Sequence, residues 1–255
     1  MFDEARVGAG LGASRFGPVR YVAETGSTND DAAVLLGDPT AAGTVLVAGV
    51  QHQGRGRRGR RWEAPPGSGL LFTAVLPRPV PATALWAVPF WCALGVAAGV
   101  ERETGVRLAL QWPNDLLLGT GKACGLLGTS RVAGDRATVG CGIGLNVLRP
   151  AAGDGVDPGA AYLSDAAAAP SLEGLLLAIL AELDASLERL AEPTGVARAW
   201  EAAAGLPGAP YLILIDGEAK PFDAVALRLA PDGGLVVVHA GHERVVSLGD
   251  ARALR

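Results

Sequence analysis

The sequence has 255 residues, of which 49% are hydrophobic, and its mean hydropathy is +0.29. This composition excludes a disordered chain, which would be polar and rich in charge. With 22 basic and 26 acidic residues the formal net charge is −4, which argues against a generally basic nucleic-acid or membrane-surface binder. The length suits one large domain, or one domain with a small second one.

The first part of the chain alternates predicted strands with helices and loops. A strand at 19–24 leads to a helix that begins at Ser27, because a hydroxyl N-cap precedes carboxylates in the first turn. The segment between Arg78 and Glu101 carries no charge and is long enough to span a bilayer. Three prolines interrupt it, so we predict a buried segment of a soluble core. Apolar runs predict further strands at 44–50, 70–76, 107–111 and 138–147.

The last third of the chain predicts a long helix and then a small β-structure. Leucines recur at helical spacing from Leu172 to Leu190. Four short strands follow at 211–215, 224–229, 235–239 and 244–248, which is typical of a small barrel. We therefore predict two domains, 1–204 and 205–255.

Three cysteines lie far apart, at Cys92, Cys124 and Cys141. This spacing gives neither a disulfide framework nor a zinc site. The first residues also lack the pattern of a secretory signal peptide. We therefore expect a reduced, cytoplasmic compartment.

Residues 54–62 alternate glycine with arginine and end at Trp62. Glycine is unfavourable inside helices and strands, so the segment is predicted to be a loop. Such a loop can approach a ligand with its backbone and grip carboxylate or phosphate groups with its guanidinium groups. A solvated loop or a local nucleic-acid patch would fit the same residues.

Three shorter segments carry further candidate site residues. Gln111-Trp112-Pro113-Asn114-Asp115 follows an apolar strand and could present two oxygen-bearing side chains to a phosphate-bound Mg²⁺, or form a plain turn. Lys122 is the only lysine in the first 200 residues and is predicted to lie in a tight loop. Its ammonium could stabilise the negative charge that develops on a phosphoryl group, or it could simply face solvent. The glycines of segment 140–147 indicate the close approach of a backbone or ligand.

In this order the segments resemble those of the biotin–protein ligases, from about Thr25 to Asp250. The resemblance implies an α+β fold: a mixed sheet with packed helices, like that of class II aminoacyl-tRNA synthetases, and a small C-terminal SH3-like barrel. Fewer than 25 residues precede the first motif, so we expect the short type without an N-terminal DNA-binding domain.

The resemblance also implies a reaction and its participants. Biotin and Mg-ATP would form biotinyl-5′-AMP, and a lysine of a biotin carboxyl carrier domain would then accept the biotin. Two anions must meet in the first step, which explains a need for fixed positive charge. The expected partners include neither DNA nor a membrane, and the protein would be a monomer or homodimer.

Site residues are carried over by matching each motif. Lys122, Arg57 and Asp115 are expected to be catalytic, with Lys122 between the biotin carboxylate and the α-phosphate and Asp115 near the incoming lysine. The expected biotin-binding residues are Ser27, Thr28, Asn29, Gln51, Arg55, Gly56, Arg57, Lys122 and Gly125. The expected ATP-binding residues are Arg57, Arg60, Trp62, Asn114, Lys122 and Asn146. Asn114 would also contact Mg²⁺ through the phosphates.

Gln111 departs from the family pattern, because a lysine or arginine usually precedes Trp-Pro-Asn-Asp.

Two alternative functions remain open at this point. A lipoate–protein ligase shares the fold type and adenylate chemistry, but its Arg-Arg-x-x-Gly-Gly-Gly loop is absent here. A non-enzymatic SH3-like or arginine-loop binding protein is the other alternative, and nucleic-acid binding by it would weaken steeply with salt.

Overall fold

The computed structural model describes residues 2–151, 157–215, 217–218, 220–248 and, for the backbone alone, 251–254. Gly249 and Asp250, at the end of the family resemblance, lie outside the described residues. The helices are α1 (Glu4–Leu11), α2 (Thr28–Leu35), α3 (Val88–Thr104), α4 (Leu172–Ser186) and α5 (Pro193–Ala203). The first eight strands are β1 (Val19–Thr25), β2 (Val45–Gln51), β3 (Gly69–Val75), β4 (Val80–Pro81), β5 (Ala109–Gln111), β6 (Asp115–Leu118), β7 (Gly121–Ala133) and β8 (Arg136–Asn146). The last five are β9 (Pro210–Ile215), β10 (Phe222–Leu229), β11 (Leu235–His239), β12 (His242–Val246) and β13 (Ala251–Leu254).

A mixed eight-stranded sheet forms the larger part of the structure. Its order is β1-β2-β3-β8-β7-β6-β5, and β4 pairs with β8. Strands β1 and β2 are parallel and are joined through α2, whereas the other neighbours are antiparallel. Alternation along β3 directs Phe72 into the main core and Val75 towards Ala32 of α2. The sheet is therefore covered on both faces, as predicted for a mixed sheet with packed helices.

Helix α3 contains much of the charge-free segment between Arg78 and Glu101, for which the sequence predicted burial in a soluble core. The stretch Ala82–Thr104 is long and apolar enough, by length and composition alone, to cross a membrane. Within the structure, however, α3 packs against α4 and buries Phe90, Trp91 and Val96. Two glycines allow the close crossing, because a Cβ at Gly99 would lie 2.6 Å from the Cα of Ile179 and one at Gly95 would lie 2.4 Å from a Leu183 methyl group. This is the packing of a core helix.

Replacing Gly99 by alanine is expected to lower the free energy of unfolding by about 1–3 kcal/mol, because the new methyl group meets helix backbone that cannot move aside. The matched control is Gly8→Ala in α1, where a Cβ meets no atom within 4 Å. That change should be neutral or stabilising by up to about 1 kcal/mol, because alanine is the better helix former. Urea unfolding of both variants tests the pair, and equal stabilities would contradict the close crossing.

The second sheet has the order β12-β11-β10-β9-β13 and is antiparallel throughout. The sequence predicted four of its strands and missed β13. It also missed β4, β6, β7, α1 and α5, and it extended the long helix to residue 190, whereas α4 ends at Ser186 and a 3₁₀ turn follows. The boundary at residue 205 stays a prediction, since one continuous hydrophobic core includes residues from both sheets.

Buried hydrogen bonds join the second sheet to the strand-connecting segment 112–114. The Trp112 backbone N–H donates to the Tyr211 hydroxyl at 3.1 Å, and the Trp112 indole N–H donates to the Gly233 carbonyl at 3.0 Å. Burial raises the pKa of the Tyr211 hydroxyl, which therefore stays protonated. The second sheet thus holds Trp112 and, with it, the neighbouring Asn114 and Asp115.

Candidate active site

One cavity of about 410 Å³ collects nearly every residue that the sequence selected. Its volume lies within the range of small-molecule sites, about 300–1,000 Å³. Twelve of the predicted residues line it together with Lys122: Ser27, Thr28, Asn29, Gln51, Arg55, Gly56, Arg57, Arg60, Trp62, Gly125, Asn114 and Asn146. Asp115 does not line the cavity, but its Oδ1 lies 2.6 Å from Nζ of Lys122, which does. The fold therefore brings all four sequence segments to one site.

The junction of β1 and α2 forms one end of the cavity. Ser27 occupies the N-cap position as predicted, but its side chain makes no capping hydrogen bond and lines the cavity instead. The Thr28 backbone N–H donates to Oε1 of Gln51 at 2.7 Å, and the Thr28 hydroxyl donates to the same oxygen at 3.1 Å. Because the oxygen of the Gln51 amide faces Thr28, its NH₂ group is the end that remains to donate to a ligand.

Asn29 is in the first turn of α2, and its side chain contacts the sheet. Its Nδ2 donates to the Leu127 carbonyl at 3.1 Å, and its side chain covers Gly142, where a Cβ would lie 2.4 Å from Oδ1. The close approach expected of the glycines in segment 140–147 is therefore present, and part of it is an approach by Asn29.

The Gly/Arg loop is closed by backbone hydrogen bonds of its own, although most of its residues are exposed. Arg55 and Arg61 pair as an antiparallel bridge, the Gly56 N–H donates to the Arg60 carbonyl at 2.7 Å, and a 3₁₀ turn spans Arg57–Gly59. Arg58 adopts a left-handed conformation with φ of 61°, which is uncommon for a residue with a side chain. The loop is anchored to α2 by the Arg55–Asp30 ion pair at 2.8 Å.

The side chain of Arg57 extends away from this loop and contacts two other parts of the structure. Its Nη1 lies 3.4 Å from Oδ1 of Asn114, and its Nη2 donates to the Leu248 carbonyl in the segment after β12. Burial lowers the pKa of the Arg57 guanidinium, the nearby Arg58 lowers it further, and Asp115 raises it. An arginine remains charged nonetheless, so a partly desolvated cation stands at the wall of the cavity.

Lys122 lies in strand β7, and not in the tight loop that the sequence predicted. Its Nζ is 2.6 Å from Oδ1 of Asp115. Asp115 is in the neighbouring strand β6, where its backbone pairs with that of Gly125 in β7. The two side chains are only 19% and 13% exposed. The strand is sustained by its pairing with β8, which local composition did not reveal. The ammonium is therefore held in place instead of being free to move.

Trp62 lies flat on a pair of glycines that face each other in register, Gly125 of β7 and Gly144 of β8. A Cβ at Gly144 would lie 2.5 Å from the Trp62 ring, and one at Gly125 would lie 2.8 Å from it. Nζ of Lys122 lies 5.2 Å from the centre of the same ring, within cation–π range. The glycines thus make room for the indole that stands beside the lysine.

The other end of the cavity is formed by the end of β8 and the segment near Tyr162. Asn146 is buried, and its Nδ2 donates to the Lys122 carbonyl at 3.1 Å. Tyr162 lines the cavity, and the Arg149 guanidinium lies 4.7 Å from the centre of its ring. Asp165 accepts hydrogen bonds from Arg149, which holds the pKa of that carboxyl below its usual range.

Sequence reasoning missed several residues of the site. The glycines Gly142 and Gly144 belong to a segment that was singled out, yet only Asn146 was selected from it. The remaining lining residues that were not selected are Arg61, Glu63, Pro65, Leu126, Leu127, Ile143, Asp157, Ala160 and Tyr162. Three of these nine, Leu126, Leu127 and Ile143, are apolar residues of β7 and β8, for which no motif gives a signal.

The side-chain oxygens of Asn114 and Asp115 already face cationic groups of the protein. Oδ1 of Asn114 lies 3.4 Å from Nη1 of Arg57, and Oδ1 of Asp115 lies 2.6 Å from Nζ of Lys122. Within the described residues, no group of three or more His, Cys, Asp or Glu side chains could hold a metal ion. This donor set fits a magnesium ion that arrives on phosphate oxygens better than one held by the protein alone.

Comparison with known proteins identifies the family. The model of the biotin/lipoate A/B protein ligase family matches residues 23–146. A biotin–[acetyl-CoA-carboxylase] ligase from Mycobacterium tuberculosis is 33% identical over 269 residues, covering 98% of this chain and 92% of that protein. This chain belongs to the biotin–protein ligase family.

The fold of this biotin–protein ligase family member agrees with a solved relative. The structure of the biotin protein ligase from Aquifex aeolicus, in complex with biotin and ATP, superposes with a TM-score of 0.75 at 24% identity, covering 94% of this chain and all of that one. The bifunctional ligase/repressor BirA of Bacillus subtilis is 33% identical over 122 residues, which is 48% of this chain but only 38% of its own length. The predicted family and fold class are therefore confirmed.

Proposed function

We propose that this chain attaches biotin to a lysine of a biotin carboxyl carrier domain, using ATP and forming biotinyl-5′-AMP. The observation that carries the proposal is the position of Lys122. It lines the same cavity as Thr28, Gln51 and the arginines of the Gly/Arg loop, and its Nζ lies 5.2 Å from the centre of the Trp62 ring. A cation at this point suits the meeting of a carboxylate with a phosphate.

In the first step, a carboxylate oxygen of biotin forms a bond to the α-phosphorus of ATP. The bond from that phosphorus to the bridging oxygen breaks, and pyrophosphate leaves with the electron pair. Lys122 and Arg57 would offset the charge that builds up on the phosphoryl oxygens. Magnesium would enter bound to the phosphates and offset part of their charge, with Asn114 beside it.

In the second step, the amine of the acceptor lysine attacks the acyl carbon of the mixed anhydride. The bond from that carbon to the phosphate oxygen breaks, AMP leaves with the electron pair, and the amine nitrogen releases its proton to solvent water. Asp115 is the carboxylate nearest to Lys122, at 2.6 Å, and would orient the incoming amine. The Gly/Arg loop, closed by its own hydrogen bonds, would keep water from the anhydride.

The test is a biotinylation assay with purified protein, biotin, Mg-ATP and a biotin carboxyl carrier domain, read with streptavidin. We expect labelling of the carrier domain but not of a matched carrier whose acceptor lysine is arginine. Lipoate in place of biotin should give no lipoylated carrier, which separates this function from the lipoate ligases of the same family. An unlabelled carrier, or lipoylation at a comparable rate, would overturn the proposal.

A further inference from the structure

Thr73 is a hydroxyl residue in an otherwise apolar, fully buried strand. It lies in β3, none of its surface is exposed, and it faces Leu46 of β2 and Gly142 of β8 in register. Its side chain does not line the cavity. A hydroxyl buried at such a place costs free energy unless it is hydrogen-bonded, so its partners indicate what it does.

Those partners are two residues at the β1–α2 end of the cavity. The Thr73 hydroxyl donates to Oγ1 of Thr28 at 2.8 Å and lies 3.1 Å from Oδ1 of Asn29. Thr28 in turn donates to Oε1 of Gln51 at 3.1 Å. Two buried threonines and the half-buried Gln51 therefore form one series of hydrogen bonds, which runs from Thr73 through Thr28 to Gln51.

The direction of these hydrogen bonds decides which polar groups the cavity wall offers to a ligand. The only hydroxyl proton of Thr28 is used towards Gln51, so Thr28 can offer a ligand only an oxygen lone pair. The Gln51 oxygen already accepts from the Thr28 N–H and hydroxyl, so the Gln51 amide can offer only its NH₂ group. The wall thus presents one acceptor beside one donor, the complement of a ligand with an N–H beside a C=O.

We propose that Thr73 is a positioning residue that sets this acceptor–donor pair for the cyclic urea of biotin. The inference rests on the proposed function, because biotin supplies the adjoining N–H and C=O groups. Without the Thr73 hydroxyl, Thr28 loses the donor that holds its oxygen and Asn29 Oδ1 loses its polar neighbour. Recognition of the urea weakens, while the arginine loop and Lys122 keep their contacts.

Thr73→Val replaces the hydroxyl by a methyl group of the same shape. We expect the KM for biotin in adenylate formation to rise about tenfold, the cost of losing a buried hydrogen bond. The KM for ATP and kcat should stay within about twofold, because the change lies at the urea end. Thr73→Ser should restore the KM for biotin, since it keeps the donor.

Thr44→Val is the matched control, because Thr44 is a buried threonine just before the neighbouring strand β2. Its hydroxyl makes no hydrogen bond within the described residues, so its replacement should leave both KM values unchanged. If the valine variant at 73 does not fold, Thr73→Cys, whose thiol is only a weak donor, should show a smaller rise in the KM for biotin relative to Thr73→Ser.

The outcomes separate the two proposals. An active wild-type protein whose Thr73→Val variant keeps the KM for biotin, or in which the KM values for biotin and ATP rise together, would overturn the role of Thr73 alone. A wild-type protein that forms no biotin adenylate would overturn the proposed function and this inference with it. A rise confined to biotin and reversed by serine would support both.

Discussion

Replacing Lys122 by alanine is expected to slow biotin adenylate formation about a hundredfold to a thousandfold, the usual cost of removing one group that stabilises developing charge. The ammonium is fixed by Asp115 at 2.6 Å and stands beside the Trp62 ring, within the cavity where the two substrates would meet. Biotin-dependent pyrophosphate exchange measures the loss. Exchange within about twofold of the wild-type rate would contradict a catalytic role for this lysine.

The chain offers a matched control for that variant, because Lys220 is its only other lysine and is exposed near the second sheet. Lys220→Ala should leave exchange unchanged. Removing Lys122 also breaks the largely buried ion pair with Asp115, which lowers stability. The double variant Lys122→Met with Asp115→Asn removes both charges. It should recover much of the stability but not the activity, which separates the catalytic effect from an unfolding effect.

Replacing Gly144 by alanine is expected to lower the exchange rate about a hundredfold, although only one methyl group is added. That methyl would stand 2.5 Å from the Trp62 ring and on a strand whose backbone is held by neighbours on both sides. The indole must therefore move, and displacements of about 1 Å in an active site can cost a factor of this size. Kinetics and the unfolding temperature should be measured together.

Two comparisons show whether Trp62 is the cause. Gly128→Ala adds a methyl group in the adjacent strand β7, where only the Gly140 carbonyl lies as near as 4.0 Å, and it should have little effect. In a Trp62→Ala background, Gly144→Ala should cost little more, because the clash is already gone and the two effects are not additive. Full additivity, or an equal loss in Gly128→Ala, would refute the proposed contact.

Most of the site could be predicted from the sequence, because the residues of the proposed chemistry are polar and lie in short segments. Lys122, Arg57 and Gln51 stand out against an apolar chain, and the fold does bring them together. The prediction that Lys122 lies in a tight loop was wrong. Strand β7 is rich in glycine and other small residues, so its sequence lacks a clear alternation of apolar and polar residues. Its strand conformation comes from pairing with β8, which is a long-range contact.

Thr73 shows the opposite case. A single hydroxyl within Gly69-Leu70-Leu71-Phe72-Thr73-Ala74-Val75 is a signal, but β-branched threonine is a good strand former and the prediction treated it as one. Only the alternation of β3 and the position of α2 show that it faces Thr28 and Asn29. Helix α5 was missed for a different reason, because Val196 and Trp200 are its only large apolar residues and the rest of its apolar residues are alanines.

The measurement that tests the account most directly is ATP–pyrophosphate exchange by the purified chain without any carrier protein. The account predicts exchange that requires biotin and Mg-ATP together, that lipoate does not support, and that Lys122→Ala loses while Lys220→Ala keeps. If exchange is absent with biotin, or proceeds equally without it, the result would contradict the claim that biotinyl-5′-AMP forms in this cavity.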